Sequence, residues 1–366
     1  MNAIKIRVLV VDDSVVIRKL LTESLTSDPE IEVVGVAANG NIALAKIPQI
    51  NPDIVTMDVE MPELNGLDTV RELRKTWPKL PVIMFSTLTK RGSEATLDAL
   101  AAGATDYVSK PANVGSVQES IARIREELIP KIRTLVRRQG PSFSAAGHSV
   151  TRFPPAPRPK LHQDIHLLAI GCSTGGPNAL TTVLPSLPRD FPAPIVIVQH
   201  MPPVFTRSLA DRLAAKSAIP VVEASDGMAL AAGHAYIAPG DFHVTFERVG
   251  TAVHLRTSKG PPENSCRPAV DVMFRSAAEV YGAGVLALVM TGMGYDGWRG
   301  AEHIHNANGT IFVQDEATSV VWGMPGQIAT TGLADKVLPL EQIALELCRR
   351  VSTTMGKFTH RGGFAQ

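Results

Sequence analysis

Short, uninterrupted apolar runs alternate with segments of helical periodicity, and this alternation limits the chain to one fold class. Between Arg7 and about Glu127 the runs read "VLVV", "EVVGV", "DIVTM", "PVIMF" and "DYVS". Strands that are apolar on both faces need cover on both faces, as in a parallel sheet flanked by helices. Five βα units are therefore predicted, with any ligand site at the carboxyl ends of the strands.

A second series of the same kind follows, with the runs "IHLLAIG", "APIVIVQH", "GVLALVMTG" and "GTIFVQD". Between them, "GHAYIAPGDFHVTFERVGTAVHLR" alternates with a period of two around turn residues, which predicts a β-hairpin insertion. A chain of 366 residues is long enough for two such cores. The predicted fold class is α/β, with two doubly wound parallel-sheet domains and a hairpin insertion in the second.

The segment between the two series contains no acidic residue over 128–163, and its end, "RFPPAPRPK", is rich in proline. Its start, "PKIRTLVRR", is predicted to extend a helix, and its end to be stiff and extended. The segment fits a solvated connector or a docking strip for an acidic partner. The predicted organisation is a first domain over 1–127, a basic linker over 128–163, a second domain over 164–352 and a frayed tail over 353–366.

Charge and cysteine usage disfavour several functional classes. With 36 basic and 35 acidic residues, the net charge of +1 gives no general attraction to nucleic acid or to anionic membranes. The three cysteines are widely spaced and form no metal-binding pattern, which fits a reduced setting. No apolar stretch approaches the roughly 18 residues of a membrane span. We expect a cytoplasmic protein that binds no nucleic acid and does not insert into membranes.

Charged side chains follow three strands of the first series. Asp12 and Asp13 come after the first strand, Asp58 ends the third, and Lys110 ends the fifth. Carboxylate oxygens are the ligands that Mg²⁺ prefers. The ion would allow Asp58 to attack a phosphoryl group, while Lys110 and a hydroxyl group stabilise the new charge. These residues predict a phosphate-accepting site.

Ser86, directly after the strand "VIMF", is the predicted hydroxyl, and the adjacent Thr87 is the less favoured choice. Taken alone, Asp12 and Asp13 fit helix capping equally well, because "DDS" opens a helix and carboxylates suit a helix N-terminus. The motifs "MDVEMPELNGLD" and "DYVSKP" at matching strand ends favour the phosphate-accepting site.

With these motifs, residues 7 to about 127 resemble a receiver domain of a two-component response regulator. The resemblance implies a flavodoxin-like fold, Asp58 as the phosphoacceptor and a histidine kinase as the phosphodonor. It also implies Mg²⁺ bound by Asp12, Asp13 and Asp58, and a Tyr107 side chain that changes position on phosphorylation. From the residues alone, Tyr107 also fits an ordinary strand position.

In the second series, the stretch "AIGCSTGGP" puts Ser173 on a turn at a strand end. Residues 171–175 match the G-x-S-x-G nucleophile elbow, whose small neighbours expose the serine and whose helix-start amides can receive an oxyanion. The amides of Thr174 and of Met293, near a later strand end, are candidate oxyanion donors. A phosphate cradle and a plain turn are the alternatives, although the P-loop lysine and the GxGxxG spacing are missing.

A nucleophilic serine needs a base and a carboxylate that orients the base. His200 follows the strand run "APIVIVQ", parallel to the strand that ends at Ser173, and Asp296 follows "VLALVM" in a glycine-rich turn. The three strand ends are predicted to converge, so that His200 takes the proton of Ser173 and Asp296 holds the imidazole tautomer. Taken singly, His200 fits a structural histidine and Asp296 a turn former.

The C-terminal half resembles the catalytic domain of the chemotaxis protein-glutamate methylesterases in the motifs "GCSTGGP", "QHMP" and "TGMGYDG". The resemblance implies a catalytic Ser173, His200 and Asp296, with no cofactor in this domain. It implies hydrolysis of glutamate γ-methyl esters on chemoreceptors, with release of methanol, and deamidation of glutamine at the same sites. Cys172 stands where the family often has a small residue such as alanine, and a thiolate there would be a rival nucleophile.

Fusion to a receiver predicts control by phosphorylation. In this hypothesis the unphosphorylated receiver packs over the rim that carries Ser173, and phosphorylation of Asp58 weakens that packing. One alternative is a non-catalytic, phosphorylation-dependent protein-binding module. Another is a gene regulator, which is disfavoured because the C-terminal half shows no basic recognition helix.

Overall fold

The computed structural model describes residues 5–110, 117–137 and 164–352. These residues fall into two compact units, one on each side of residue 148. Within the described ranges, no helix combines the length and apolarity needed to cross a bilayer. The proline-rich end of the predicted linker and the predicted C-terminal tail lie outside the described residues.

The N-terminal unit contains a five-stranded parallel sheet in the order β2-β1-β3-β4-β5. Its strands are β1 Ile6–Val11, β2 Ile31–Ala37, β3 Ile54–Asp58, β4 Val82–Ser86 and β5 Asp106–Ser109. Its helices are α1 Val15–Thr26, α2 Gly40–Ile50, α3 Gly66–Thr76, α4 Lys90–Ala101 and α5 Val117–Arg137. This order is flavodoxin-like, as predicted, and the direction of winding reverses between β1 and β3.

Side-chain caps set the start of the first four helices. Ser14, Asn39, Asn65 and Thr89 each accept a hydrogen bond from the third backbone amide after them. Such caps satisfy amides that have no partner within the helix. Each of the first four strands is thereby followed by a loop and a defined helix start, and the carboxyl ends of the parallel strands lie at one rim.

Helix α5 continues past the predicted domain boundary at residue 127. Arg133 forms ion pairs with Asp28 (2.7 Å) and Glu30 (3.1 Å), and Lys131 pairs with Asp106 at 2.8 Å. These contacts hold the last turns of the helix to the N-terminal unit. The helical start of the predicted linker therefore belongs to that unit.

The C-terminal unit contains a seven-stranded parallel sheet in the order β14-β13-β12-β6-β7-β9-β8. Its strands are β6 Leu167–Cys172, β7 Ile195–Gln199, β8 Val221–Glu223, β9 Ala235–Ile237, β12 Val285–Val289, β13 Thr310–Gln314 and β14 Lys336–Leu338. Its helices are α6 Gly176–Val183, α7 Phe205–Ala214, α8 Val270–Tyr281, α9 Trp298–Asn306, α10 Met324–Thr330 and α11 Leu340–Ser352. The winding reverses between β6 and β12, whose residues are buried along their whole length.

A separate antiparallel hairpin is formed by β10 His243–Val249 and β11 Ala252–Ser258. The amide of Phe246 donates to the hydroxyl of Ser276 at 2.8 Å, which ties the hairpin to α8. The hairpin is shorter than the alternating sequence predicted. The residues "AYI" of that stretch form β9, which pairs with β7 in the main sheet.

Candidate functional site

The rim of the seven-stranded sheet brings together the ends of β6, β7 and β12. The amide of His200 donates to the carbonyl of Cys172 at 3.1 Å, and the amide of Ser173 donates to the carbonyl of Thr291 at 3.0 Å. These backbone bonds continue the pairing of the three strands just beyond their ends. The rim lies at the point where the winding reverses, the usual location of a ligand site in such sheets.

Two glycines shape the turn after Ser173. Gly175 has a φ of 81°, in the left-handed region that favours glycine. A Cβ on Gly176 would lie 1.9 Å from Oε1 of Gln199, so a larger residue would have to displace that buried side chain. The side-chain nitrogen Nε2 of Gln199 donates to the Ser173 carbonyl at 3.0 Å. Ser173 itself is half-buried, and its hydroxyl has no hydrogen-bond partner among the described residues.

His200 and Asp296 form a direct pair, with 2.8 Å between Nε2 of the imidazole and Oδ2 of the carboxylate. Nδ1 is then the nitrogen left to accept a proton. Burial alone would lower the pKa of His200, but its hydrogen bonds with Asp296 and Cys266 outweigh burial and raise the pKa above its ordinary value. An imidazolium formed at this position is therefore stabilised.

The side chain of Asp296 contacts the N-terminus of α8. Its Oδ2 accepts a hydrogen bond from the amide of Val270 (2.6 Å), and its Oδ1 accepts one from the amide of Asp271 (3.1 Å). Burial favours the neutral acid, but the hydrogen bond with His200 and the two amides lower the pKa of Asp296. The helix start thus holds an ionised carboxylate against the imidazole.

The N-terminal unit carries a second cluster where its own winding reverses. Nζ of Lys110 lies 2.8 Å from Oδ2 of Asp58 and 3.0 Å from Oδ2 of Asp12. Carboxylate oxygens of Asp12, Asp13 and Asp58 lie within 4.8 Å of one another. Burial raises the pKa of Asp58 to about 6, against the lowering effect of Lys110. The sheet therefore brings together the four charged residues predicted for phosphate transfer.

Comparison with known proteins decides the family. The family model for CheB methylesterase matches residues 168–347, and that for the response regulator receiver domain matches residues 8–122. A Trichodesmium erythraeum protein named protein-glutamate methylesterase/protein-glutamine glutaminase is 51% identical over 352 residues, which cover 95% of this chain and 99% of that protein. The chain belongs to this methylesterase family.

Two further matches cover one or both domains. A Nocardioides protein of the same name is 53% identical over 354 residues, covering 95% of this chain and 96% of that protein. The crystal structure of the Thermotoga maritima CheB methylesterase catalytic domain is 44% identical, with a TM-score of 0.50, and covers 51% of this chain and 99% of that one. The N-terminal unit is thus the receiver domain and the C-terminal unit the methylesterase domain.

The acidic cluster of the receiver domain fits Mg²⁺. Oδ2 of Asp12 is buried and lies 3.0 Å from Nζ of Lys110, so this carboxylate is held in place by a positive charge. Asp13 is exposed and supplies a further oxygen from the solvent side. This set of hard oxygen donors, open to water on one side, suits an octahedral cation.

The two predicted switch residues of the receiver domain make other contacts. The hydroxyl of Ser86 is buried and donates to the carbonyl of Gly92 at 3.1 Å rather than to Asp58. Tyr107 is buried, with Nζ of Lys131 lying 5.3 Å from the centre of its ring. Burial raises the pKa of the Tyr107 phenol, which is neutral at physiological pH. Among the described residues, the Ser86 hydroxyl therefore bonds to backbone carbonyls and not to the carboxylate of Asp58.

Cys172 and the candidate oxyanion donors lie beside Ser173 in different surroundings. Sγ of Cys172 is fully buried, lies 3.1 Å from Oε1 of Gln199, and burial raises the pKa of its thiol. A thiol in this state is a poor nucleophile.

Thr174 is buried and precedes α6, and its carbonyl accepts a hydrogen bond from the Thr291 hydroxyl at 2.8 Å. Met293 is half-buried in the turn between β12 and Asp296.

Three residues at this rim were missed by the sequence analysis. Asn264 donates from one amide nitrogen to Oδ1 of Asp296 and to Oδ2 of Asp271, both at 2.8 Å. Asp271 is buried, and burial raises its pKa to about 6. Sγ of Cys266 lies 3.6 Å from Nδ1 of His200. For Asn264 and Cys266 the signal in the sequence was the polar segment "ENSCR", which has prolines on both sides, whereas Asp271 lies outside this segment.

Proposed function

We propose that the protein hydrolyses γ-methyl esters of glutamate on chemoreceptors, releasing methanol, and deamidates glutamine at the same positions. The observation that carries the proposal is the 2.8 Å pair of His200 and Asp296 at the rim that also carries Ser173. Relatives that match the chain over nearly its whole length carry the names of both activities. We expect the protein to act in the cytoplasm, where receptor signalling helices are accessible.

In the proposed mechanism, Oγ of Ser173 attacks the ester carbonyl as its proton passes to Nδ1 of His200. Asp296 stabilises the imidazolium, and backbone amides at Thr174 and Met293 receive the oxyanion. The bond to the methoxy group then breaks, and methanol leaves with the proton from His200. Water next gives a proton to His200 and bonds to the acyl carbon. The bond from that carbon to Oγ of Ser173 then breaks, Oγ takes the proton back from His200, and a glutamate carboxylate is released. With glutamine the first leaving group is ammonia.

Methanol release distinguishes this proposal from a module that only binds receptors. Full-length protein, given a small phosphodonor and Mg²⁺, is incubated with methylated receptor, and methanol is measured alongside receptor binding. Methanol release that is catalytic in protein supports the esterase. Saturable binding without methanol release supports the binding module, and a shift of DNA in a gel would support the gene regulator.

We further propose that the receiver domain controls the esterase. Asp58 would accept a phosphoryl group from a histidine kinase, with Asp12 and Asp13 completing the oxygen ligands of Mg²⁺ and Lys110 and Ser86 contacting the phosphoryl oxygens. The bound ion neutralises the charge on the phosphoryl group during transfer. Tyr107 would change position with phosphorylation. The unphosphorylated receiver would cover the rim of Ser173, and about 2.7 kcal/mol of interface free energy keeps roughly 99% of molecules closed.

Removal of the receiver should release this inhibition. A chain that starts at Asp164 is expected to release methanol up to about 100-fold faster than the unphosphorylated full-length protein, because no closed state competes. The solved Thermotoga domain, of which the match covers 99%, indicates that this part folds alone. Asp58→Asn in the full-length chain is the control and should stay slow with phosphodonor and Mg²⁺. Equal rates for truncated and unphosphorylated full-length protein would exclude masking.

Asn264 is expected to position Asp296. Asn264→Gly removes the hydrogen bonds to Asp296 and Asp271. The bond to the charged Asp296 contributes about 1.5–3 kcal/mol, so its loss should lower kcat about 10- to 100-fold with little change in KM. Glycine is chosen because φ at Asn264 is 52°. Ser265→Gly is the matched control, since Ser265 is exposed and has a φ of 61°. A similar loss of kcat in both variants would point to the loop backbone instead.

A further inference from the structure

The thiol of Cys266 has no part in the hydrolysis proposed above, yet it lies against the nitrogen that the reaction uses. The distance from Sγ of Cys266 to Nδ1 of His200 is 3.6 Å. Zinc binds sulfur at about 2.3 Å and histidine nitrogen at about 2.0–2.1 Å, so a tetrahedral angle puts the two ligand atoms roughly 3.5 Å apart. The pair thus has the spacing of two ligands on one zinc ion.

Asp296 contacts the other nitrogen of the His200 ring. Its carboxylate binds Nε2 of His200, which leaves Nδ1 as the free donor toward Cys266. A carboxylate on the second ring nitrogen is the usual outer partner of a zinc-bound histidine, since it fixes the ring and increases its basicity. Ligand atoms of Cys266, His200 and Asp296 all lie within 4.8 Å of one another.

The loop that carries Cys266 is held in place. Cys266 and Glu263 exchange two backbone hydrogen bonds, of 2.8 and 3.1 Å. The carboxylate of Glu263 accepts two hydrogen bonds from Arg275 in α8, both 2.6 Å long. Arg267, one residue further along, pairs with Asp241. A ligand fixed in this way loses little conformational freedom on binding a metal.

The site is also accessible. Cys266 is half-buried and 13% of the His200 side chain is exposed, so the pair lies at the edge of the protein interior rather than deep within it. Cys172 cannot serve as a ligand in the same way because its thiol is fully buried. Two protein ligands are fewer than the four of a structural zinc site, so the other positions of the ion would be filled by water.

We propose that Cys266 and His200 bind a zinc ion, with Asp296 as the outer carboxylate, and that this ion inhibits the enzyme. The metal would bond to the Nδ1 lone pair that must accept the proton of Ser173, and the Cys266 thiol would lose its proton to solvent on binding. Inhibition rests on the proposed esterase function, whereas binding does not. Zinc is the ion of choice because it accepts mixed sulfur and nitrogen ligands.

Binding is tested with Co²⁺, a spectroscopic substitute for Zn²⁺, on the full-length protein. A thiolate–cobalt charge-transfer band in the near ultraviolet is expected for the wild type and for Cys348→Ser. It should be lost in Cys266→Ser. Cys348 is the matched control, a half-buried cysteine in α11. The carboxylates of the receiver domain offer no sulfur and give no such band. A band that persists in Cys266→Ser, or its absence in the wild type, overturns the site.

Alkylation of the wild type gives a second measurement that needs no variant. At a free Zn²⁺ concentration ten times Kd, alkylation of Cys266 by iodoacetamide, followed by peptide mass spectrometry, should slow roughly tenfold, with Cys348 as the internal control. Unchanged alkylation of Cys266 contradicts the proposal.

Inhibition is then measured as a fraction of each variant's own metal-free rate of methanol release. Zn²⁺ should inhibit the wild type and Cys348→Ser, a chelator should restore both, and Cys266→Ser should resist. Equal inhibition of Cys266→Ser would refute the inhibitory role. If no variant releases methanol, the esterase proposal fails, while the cobalt band and the alkylation rates still decide whether the metal binds.

Discussion

Replacement of Ser173 by alanine is expected to reduce methanol release from methylated receptor by about 10⁴-fold or more, with the fold retained. The proposed acyl intermediate needs the Ser173 oxygen, which alanine lacks. The fold should survive because the contacts of Ser173 with Thr291 and Gln199 use its backbone. Far-ultraviolet circular dichroism and the thermal midpoint check folding, and a methanol assay checks activity.

Cys172→Ala is the matched control for Ser173→Ala, since it changes the adjacent side chain at the same strand end. It removes a buried thiol next to Gln199 and should cost about 1 kcal/mol of stability while leaving most of the activity. If Cys172→Ala abolishes methanol release and Ser173→Ala does not, the thiol is the nucleophile and the assignment of Ser173 is wrong.

Asp296→Asn is expected to lower kcat by about 10⁴-fold. The charge that stabilises the imidazolium is lost. Both oxygens of Asp296 accept hydrogen bonds from N–H groups, which belong to Val270, Asp271 and Asn264. The NH₂ group of the new asparagine would therefore face at least one N–H donor and leave it without an acceptor. The variant should therefore be less stable as well, by about 1–3 kcal/mol for the unsatisfied donor. Denaturant unfolding and kcat, measured on the same preparation, separate the two effects.

Asp271→Asn provides the comparison for Asp296→Asn. Asp271 is equally buried at the same helix start, but it hydrogen-bonds Gly300 and Asn264 rather than His200. Its replacement should disturb stability to a similar degree and kcat far less. If the two variants lose activity equally, the effect of Asp296 comes from the stability of the helix start and not from its contact with the imidazole.

Most of the fold could be predicted from the apolar runs. All five runs of the first series and all four of the second form parallel strands. Except for the edge strand β2, these strands are almost entirely buried, and a strand buried on both faces has an uninterrupted apolar sequence. Strand β9 could not be predicted in the same way. Ala235–Ile237 is only three residues long, and its sequence continues the alternation of the following hairpin. Only its pairing with β7 shows that it belongs to the main sheet.

The residues of the candidate site also differ in whether the sequence predicts their position. Ser173, His200 and Asp296 follow strand ends, and parallel strands put such residues at one rim. Asn264, Cys266 and Asp271 come from a loop and a helix start whose positions depend on tertiary contacts. The loop turns through two left-handed residues, Asn264 and Ser265, and is tied to α8 by Glu263 and Arg275. No local pattern predicts that this loop returns to His200.

In the proposed mechanism, Ser173 becomes a nucleophile because His200 and Asp296 lie at the same rim of the sheet. The most direct test is to quench the full-length protein during turnover of methylated receptor peptide and to locate the acyl adduct by peptide mass spectrometry. The account predicts an adduct on Ser173 of the wild type and none in His200→Ala. An adduct on Cys266 or Cys172, or an equal amount of Ser173 adduct without His200, would contradict it.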